Sequence, residues 1–246
     1  LITPLQVRSR DYVIVGFIDP GGTIDDYFLT MTRTNVRTHE IFVTGAMHWL
    51  LNDKTKTTFA KIRNDIAKLH LLNHFNILGC ELNNFGRSEV QSMRREYHIK
   101  MYGVNTSGKI TSEEVIRKQK TLDKHQMVRW TNSWRQDGLI KFPKRKTPEI
   151  KKILSQMDTF IVEKPNLGGT PNYKYHAEGS QHDDGVMSLL GNLYIVKEKI
   201  LKISGFDERF IGAKRGQQDI PDLYEKEVKP VGRAMGGVDT DSVYQF

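Results

Sequence analysis

Gly179-Ser180-Gln181-His182-Asp183-Asp184-Gly185-Val186-Met187-Ser188-Leu189-Leu190-Gly191 sets two adjacent carboxylates at the start of an apolar stretch. Val186, Leu189, Leu190 and Leu193 recur at spacings of three and four, which predicts a helix packed by one side, with an acidic first turn that faces something else. A single Asp at a helix start has an ordinary task, because it caps unpaired N–H groups and complements the helix dipole. Two Asp residues preceded by His182 and followed by Gly185, which admits close backbone approach, also suit a divalent cation bound through oxygen. The stretch alone leaves capping and metal binding open, and acids elsewhere must decide between them.

Upstream, Tyr12 to Ile18 is a continuous apolar run stopped by Asp19-Pro20-Gly21-Gly22, which predicts a strand buried on both faces with Asp19 at its carboxyl end. Phe28 to Thr34 and Ile41 to Trp49 are rich in β-branched and aromatic residues, and the short link between them permits antiparallel pairing. From Lys54 to His70 the positions Phe59, Ile62, Ile66 and Leu69 step as one helical face. Phe75 to Cys80 reads as a short strand that delivers Glu81 to its end, ahead of the turn Asn83-Asn84-Phe85-Gly86.

Further on, helices are expected over Arg87 to Met101, Thr121 to Asp137 and Glu149 to Gln156. Extended pieces are expected at Val104 to Thr106, Leu139 to Phe142, Thr159 to Glu163 and Tyr173 to Ala177. From about Gly205 the periodicity fades, so residues 1–204 read as one α/β domain with a mixed sheet flanked by helices, and 205–246 as an irregular tail.

The formal charge of +8 favours a polyanionic partner such as nucleic acid. A single cysteine, Cys80, excludes an internal disulfide and any multi-cysteine zinc site. No apolar run approaches membrane-spanning length.

Asp19 and Glu81 each end a strand, where open α/β sheets tend to place ligand sites, and Asp183 and Asp184 begin a helix. Taken singly, each acid has a structural explanation as a turn residue, a solvated strand end or a cap. Separate apolar elements that all terminate in acid, within a basic chain, form a pattern that folding does not require. Clustered carboxylates repel unless a cation neutralises them, and Mg²⁺ or Mn²⁺ suits an all-oxygen set.

The succession Phe17-Ile18-Asp19-Pro20-Gly21, Ile77-Leu78-Gly79-Cys80-Glu81-Leu82-Asn83-Asn84 and His182-Asp183-Asp184-Gly185-Val186-Met187-Ser188-Leu189 resembles the nuclease domain of the large terminase subunits of tailed bacteriophages and related viruses. The resemblance runs from Tyr12 to Leu201 and implies an RNase H-like fold. It implies Asp19, Glu81 and Asp183 as catalytic metal ligands, with Asp184 as an auxiliary ligand or a group behind the ligands, and His182 in a position to orient one of them. It further implies two Mg²⁺ or Mn²⁺ ions, with Asp19 bridging both, and hydrolysis of double-stranded DNA that leaves 5′-phosphate ends. An ATPase motor domain ahead of the nuclease, a portal, a small terminase subunit and the host cell cytoplasm belong to the same implication. Nothing before Tyr12 reads as such a motor, so the chain is expected to be the nuclease part alone. Gly185 and Ser188 stand where many relatives carry larger or acidic residues.

Other patterns carry less. Gly103-Val-Asn-Thr-Ser-Gly108-Lys109-Ile110 nearly matches a phosphate-binding loop, but Ile110 lacks the hydroxyl that Mg²⁺ needs and the segment follows a helical stretch instead of a long apolar strand. His70 and His74 have zinc-compatible spacing at a helix end, where His also favours the dipole. Trp130 and Trp134 read as packing residues. Lys144-Arg145-Lys146, Arg94-Arg95 and Arg117-Lys118 could meet phosphates or only solvent. Two rival functions remain: another RNase H-like nuclease, such as a junction resolvase or transposase, and a DNA-binding module whose acids are only caps.

Overall fold

The apolar run from Tyr12 becomes an interior strand of the structure, a computed structural model that describes residues 11–21, 26–51, 57–83, 85–106, 124–158, 160–163, 174–177, 183–202 and 243–245. This strand, β1 (Tyr12–Asp19), pairs antiparallel with β2 (Tyr27–Asn35) and parallel with β4 (Ile77–Glu81). β3 (Ile41–Trp49) lies antiparallel on β2, β5 (Met101–Val104) extends β4, and β6 (Ile140–Lys141) runs parallel to β3. The result is a mixed six-stranded sheet in the order β5-β4-β1-β2-β3-β6.

Alternation along the strands loads both faces with apolar side chains, as the unbroken hydrophobicity of β1 requires. Ile14, Ile18, Tyr27 and Leu29 pack with Ile62, Ile66 and Met93 from α1 (Phe59–Asn73) and α2 (Gly86–Tyr97). Val15, Phe17 and Phe28 face the other way, towards α3 (Lys124–Gln136), α4 (Pro148–Asp158) and α5 (Asp184–Val196). α5 continues into a π-helical turn, Lys197–Leu201.

The expected helix at Asp184 forms, but it is buried on every side and not by one side only. The sheet lies against one flank, while Ile150, Ile153 and Trp134 from the neighbouring helices join the core that takes in the rest. Its polar residues are absorbed by hydrogen bonding: Ser188 Oγ donates to the Phe17 carbonyl at 2.9 Å, and Asn192 Nδ2 to those of Val15 and Thr30 at 3.1 and 3.0 Å. An unmade bond at such a buried site would cost about 1–3 kcal/mol, so these contacts fix how far α5 can slide along β1.

Several boundaries differ from the sequence reading. α1 begins at Phe59 because the Thr58 hydroxyl caps it, accepting from Lys61 N at 3.2 Å, and it ends at His74 in the left-handed region. α2 stops at Tyr97, where His98 takes φ 56°, so Met101 starts β5 in place of the extended piece expected at Val104 to Thr106. A second, three-stranded sheet has the order β8-β7-β9, from β7 (Phe160–Glu163), β8 (Lys174–Ala177) and β9 (Val243–Gln245). Three residues of the expected irregular tail therefore form a strand, since Val243 and Tyr244 favour extended backbone and the edge of β7 offers them hydrogen bonds. No helix among the described residues is long and apolar enough to cross a membrane.

Candidate active site

β1 and β4 run parallel with Ile18 opposite Cys80, so the next residue on each strand is an acid and Asp19 lies beside Glu81. Phe17 belongs to the core on the α5 face and Ile18 and Cys80 to the core on the opposite face. By alternation Asp19 and Glu81 both project to the α5 face. There the helix start brings Asp183 and Asp184, and α5 cannot shift along the strand because Ser188 and Asn192 hold it.

The acids at this edge act on one another through their charge. Burial pushes the Asp19 carboxyl well above its ordinary range, and the charge of Glu81, a hydrogen bond with Glu81, and the charges of Asp184 and Asp183 all push the same way. Asp19 keeps part of its surface open to solvent at the strand end while protein surrounds the rest, and that surrounding protein sets its titration. Glu81 is buried and held from two sides, since Asn83 Nδ2 donates to its Oε1 at 2.7 Å and Thr106 Oγ1 donates to the same oxygen. Asn83 also reaches Thr106 Oγ1 at 2.6 Å, so the three side chains form one unit.

At the helix start the capping explanation fails for one of the two acids. Asp183 occupies the cap position but makes no side-chain hydrogen bond to the helix, its φ of −111° and ψ of 7° being unlike the extended backbone usual at a cap. Asp184 is buried, and its Oδ2 accepts from the backbone N–H of Asp26 at 3.2 Å. Asp26 is itself buried and ion-paired with Lys152 of α4.

The sequence reading gave Asp26 and Lys152 no role, placed Thr106 only at the end of an extended piece, and took Asn83 as a turn former beside Glu81. Asn83 lies in the same segment as Glu81 and was within reach of that reading. Asp26 and Lys152 meet across 126 positions of sequence, so no local spacing reveals them.

Two glycines are set by close approach at the site. A Cβ on Gly185 would come within 2.5 Å of Gln156 Oε1 and 3.2 Å of Ile153, so the close seat of α4 against the acidic start of α5 favours a glycine there. On Gly86 a Cβ would run into the Glu81 carbonyl oxygen, which ties the first turn of α2 to the end of β4. Ser188 donates to the Phe17 carbonyl and so serves the helix–strand contact, not the acids.

The donor set around Asp19 is all carboxylate oxygen, which fits Mg²⁺ or Mn²⁺. Among the described residues no three His, Cys, Asp or Glu side chains stand as a ready metal cage.

The remaining candidates separate cleanly. Trp134 is core, and Trp130 lies under the Lys197 ammonium, 2.9 Å from the ring centroid. His70 packs against the Phe75 ring at 5.8 Å, and burial lowers its pKa, with His74 adding to the effect. Gly103 pairs with Cys80 inside β5, so a short strand does lead into the near-match to a phosphate loop, and the glycine is spent in the ladder instead of the loop. Gly108, Lys109 and Ile110, together with His182, Arg117 and Lys118, lie outside the described residues. Lys144, Arg145 and Lys146 are exposed in the loop between β6 and α4, and Arg94 and Arg95 are exposed on α2.

No family model and no curated protein matches the chain. Solved structures do. The large terminase of a thermophilic bacteriophage superimposes with a TM-score of 0.52 at 11% identity, over 78% of this chain and 41% of that one. The large terminase of bacteriophage HK97 gives 0.52 at 11%, over 77% and 40%. The human cytomegalovirus terminase nuclease domain gives 0.50 at 16%, over 82% and 92%. The chain thus spans about 40% of the two whole terminases and most of the isolated viral nuclease domain. In its architecture the chain shares the RNase H-like fold of the nuclease domains of large terminases.

Proposed function

We propose that this chain is the nuclease domain of a large terminase, a divalent-metal-dependent endonuclease that cuts double-stranded DNA during viral genome packaging. The observation that carries the reading is the gathering of Glu81, Asp184 and Asp183 around Asp19, every one of them raising the cost of its charge. A fold shared with terminase nuclease domains and a net charge of +8 support it.

Asp19, Glu81 and Asp183 would hold Mg²⁺ or Mn²⁺, with Asp184 beside them. Bound there, the ions would supply the positive charge that activates water and stabilises the leaving 3′ oxygen. The chain itself prepares the site. Asn83 and Thr106 keep Glu81 Oε1 in place, and Ser188 and Asn192 keep the helix start over the end of β1. Contacts to backbone phosphates from exposed Lys144, Arg145 and Lys146 would leave cutting largely independent of base sequence. Double-stranded DNA is the substrate in this reading; an ATPase motor, the portal and the small subunit are the partners, and the host cytoplasm is the place.

Plasmid digestion tests the proposal. Nicking and linearisation are expected with Mg²⁺ or Mn²⁺ and not with EDTA. Binding that persists in EDTA with no cutting under any metal would leave a DNA-binding module, and preference for branched over linear duplex would favour a junction resolvase.

A further inference from the structure

Asp26 and Lys152 form an ion pair at the edge of the acid site, yet neither belongs to the group of acids that surrounds Asp19. Asp26 is 4% exposed, and its backbone N–H donates to Asp184 Oδ2 at 3.2 Å, so the pair lies directly against Asp184. Burial lowers the Lys152 pKa, and the charge of Asp184 acts on its ammonium in the opposite sense. α4 holds the lysine there: one turn on from Lys152, Gln156 abuts Gly185 at the start of α5, so the stem of Lys152 cannot move away from the helix start without the helix. The ammonium is thus paired with Asp26 and also lies in the field of Asp184. If it took Asp184, it would occupy oxygens that a cation needs and would oppose cation binding by its charge.

We propose that Asp26 is a positioning residue with two tasks at the acid site: its backbone N–H orients Asp184, and its carboxylate occupies Lys152 and so keeps that lysine off Asp184. The inference rests on the reading of Asp184 as part of a cation site.

Asp26→Asn retains the backbone donor and the side-chain size but gives up the charge that holds Lys152. In the full chain, with Mn²⁺ alone as the probe, free Mn²⁺ is counted by electron paramagnetic resonance and the affinity checked by calorimetry. Asp26→Asn should bind Mn²⁺ about tenfold more weakly, the lower end of what partners behind metal ligands contribute. Lys152→Met alone should stay near the parent, whereas adding it to Asp26→Asn should recover most of the loss. Simple charge removal would make the two effects additive; sequestration makes Lys152→Met matter only once Asp26 is gone. Lys152→Arg, whose planar fork can engage both acids, should also weaken Mn²⁺ binding, and it tests the idea if Asp26→Asn melts too early to study. Parent-like Mn²⁺ binding by Asp26→Asn or Lys152→Arg, or additivity in the double variant, overturns the proposal. A parent that binds no Mn²⁺ overturns it together with the cation-site reading, whereas a parent that binds and cuts while Asp26→Asn is unaffected overturns sequestration alone.

Discussion

The two faces of the sheet each bury acid, and they treat it in opposite ways. On the α1–α2 face Glu89 is buried, but Arg63 meets it at 3.0 Å and the Tyr27 hydroxyl donates to it at 3.2 Å. Burial raises its pKa while Arg63 and Tyr27 both pull it down. On the α5 face Asp19 has burial, Glu81, Asp184 and Asp183 all pushing upward. One cluster is complete as folded, with its counter-charge on the neighbouring helix. In the other, Asp19 stands among carboxylates, and Lys152 of α4 is paired to Asp26. Opposed influences on Glu89 and one-directional influences on Asp19 set the two clusters apart, and a carboxyl perturbed in the second way marks a candidate functional site.

The sharpest way to break this comparison is to remove charge from each cluster in turn. Asp19→Asn, Glu81→Gln and Asp183→Asn should each lower plasmid cleavage by about a thousandfold or more, with double variants little worse because the acids act as a unit. Thermal melts in chelator should show each variant folded, since it relieves repulsion in the metal-free protein. Glu89→Gln should cut like the parent. A folded Asp183→Asn protein with parental activity would return that residue to the role of a helix-start acid.

The complementary experiment removes the counter-charge that the other cluster does possess. Arg63→Ala strands Glu89, which is 2% exposed, and breaking one partner of such a buried pair costs about 3 kcal/mol or more. Urea unfolding is the measurement. The loss should shrink in Arg63→Met/Glu89→Leu, where neither charge is left alone. Cleavage per folded molecule should stay unchanged throughout. A stability drop no larger than a surface substitution gives would show that Glu89 does not depend on Arg63.

Titration sharpens the contrast at smaller scale. A carboxyl whose folded pKa is raised holds a proton that the unfolded chain has already released, so its stabilising contribution is complete below the unfolded value, 3.8 for Asp19, and is lost as pH rises through the folded one. In chelator, the parent should therefore lose stability with rising pH relative to Asp19→Asn, which carries no such proton. Glu89→Gln should open a gap of the same sign but smaller, because Arg63 and Tyr27 offset part of the burial. Melting curves across pH decide it, and parallel profiles for parent and Asp19→Asn would refute the assignment.

Much of this was legible in the chain because the decisive residues sit where local patterns end. The apolar run before Asp19 and the short run before Glu81 each announce a strand and its last residue, and parallel pairing of those two strands then suffices to bring the acids together. Asp183 and Asp184 are equally exposed to reading, since a helix start is written in the sequence. What stayed hidden depends on pairs far apart in the chain. Asp26 looks like a loop acid until Lys152 arrives, Thr106 looks like a strand end until Asn83 and Glu81 meet it, and the full burial of α5 follows from helices whose own patterns say nothing of where they dock. Val243–Gln245 escaped because three residues that pair with a distant edge carry no periodicity.

The smallest expected effect concerns the surface that the proposed DNA substrate would meet beside the acid edge. β6 starts opposite Ile41, at the far end of β3, and after the loop α4 begins where Glu149 stands 3.9 Å from His48, near the end of β3 that adjoins the start of β2. Because Asp19 pairs with Phe28 and Phe28 with His48, that end is the acid edge, and the Lys144 to Lys146 loop leads towards it. Each phosphate contact releases about one counterion, so Ala at all three positions should flatten the dependence of log affinity on log salt by at most about three, with sequence preference unchanged. Measured in chelator, where no cutting intervenes, the loss should be uniform across duplex sequences, as backbone contacts position without specifying. Arg94 and Arg95, exposed on α2 on the other side of the sheet, provide the control, and their replacement should leave the slope alone. Equal slopes for parent and loop variant would assign Lys144 to Lys146 to solvent and move the DNA to another face, leaving the acid edge to be approached from the α1–α2 side.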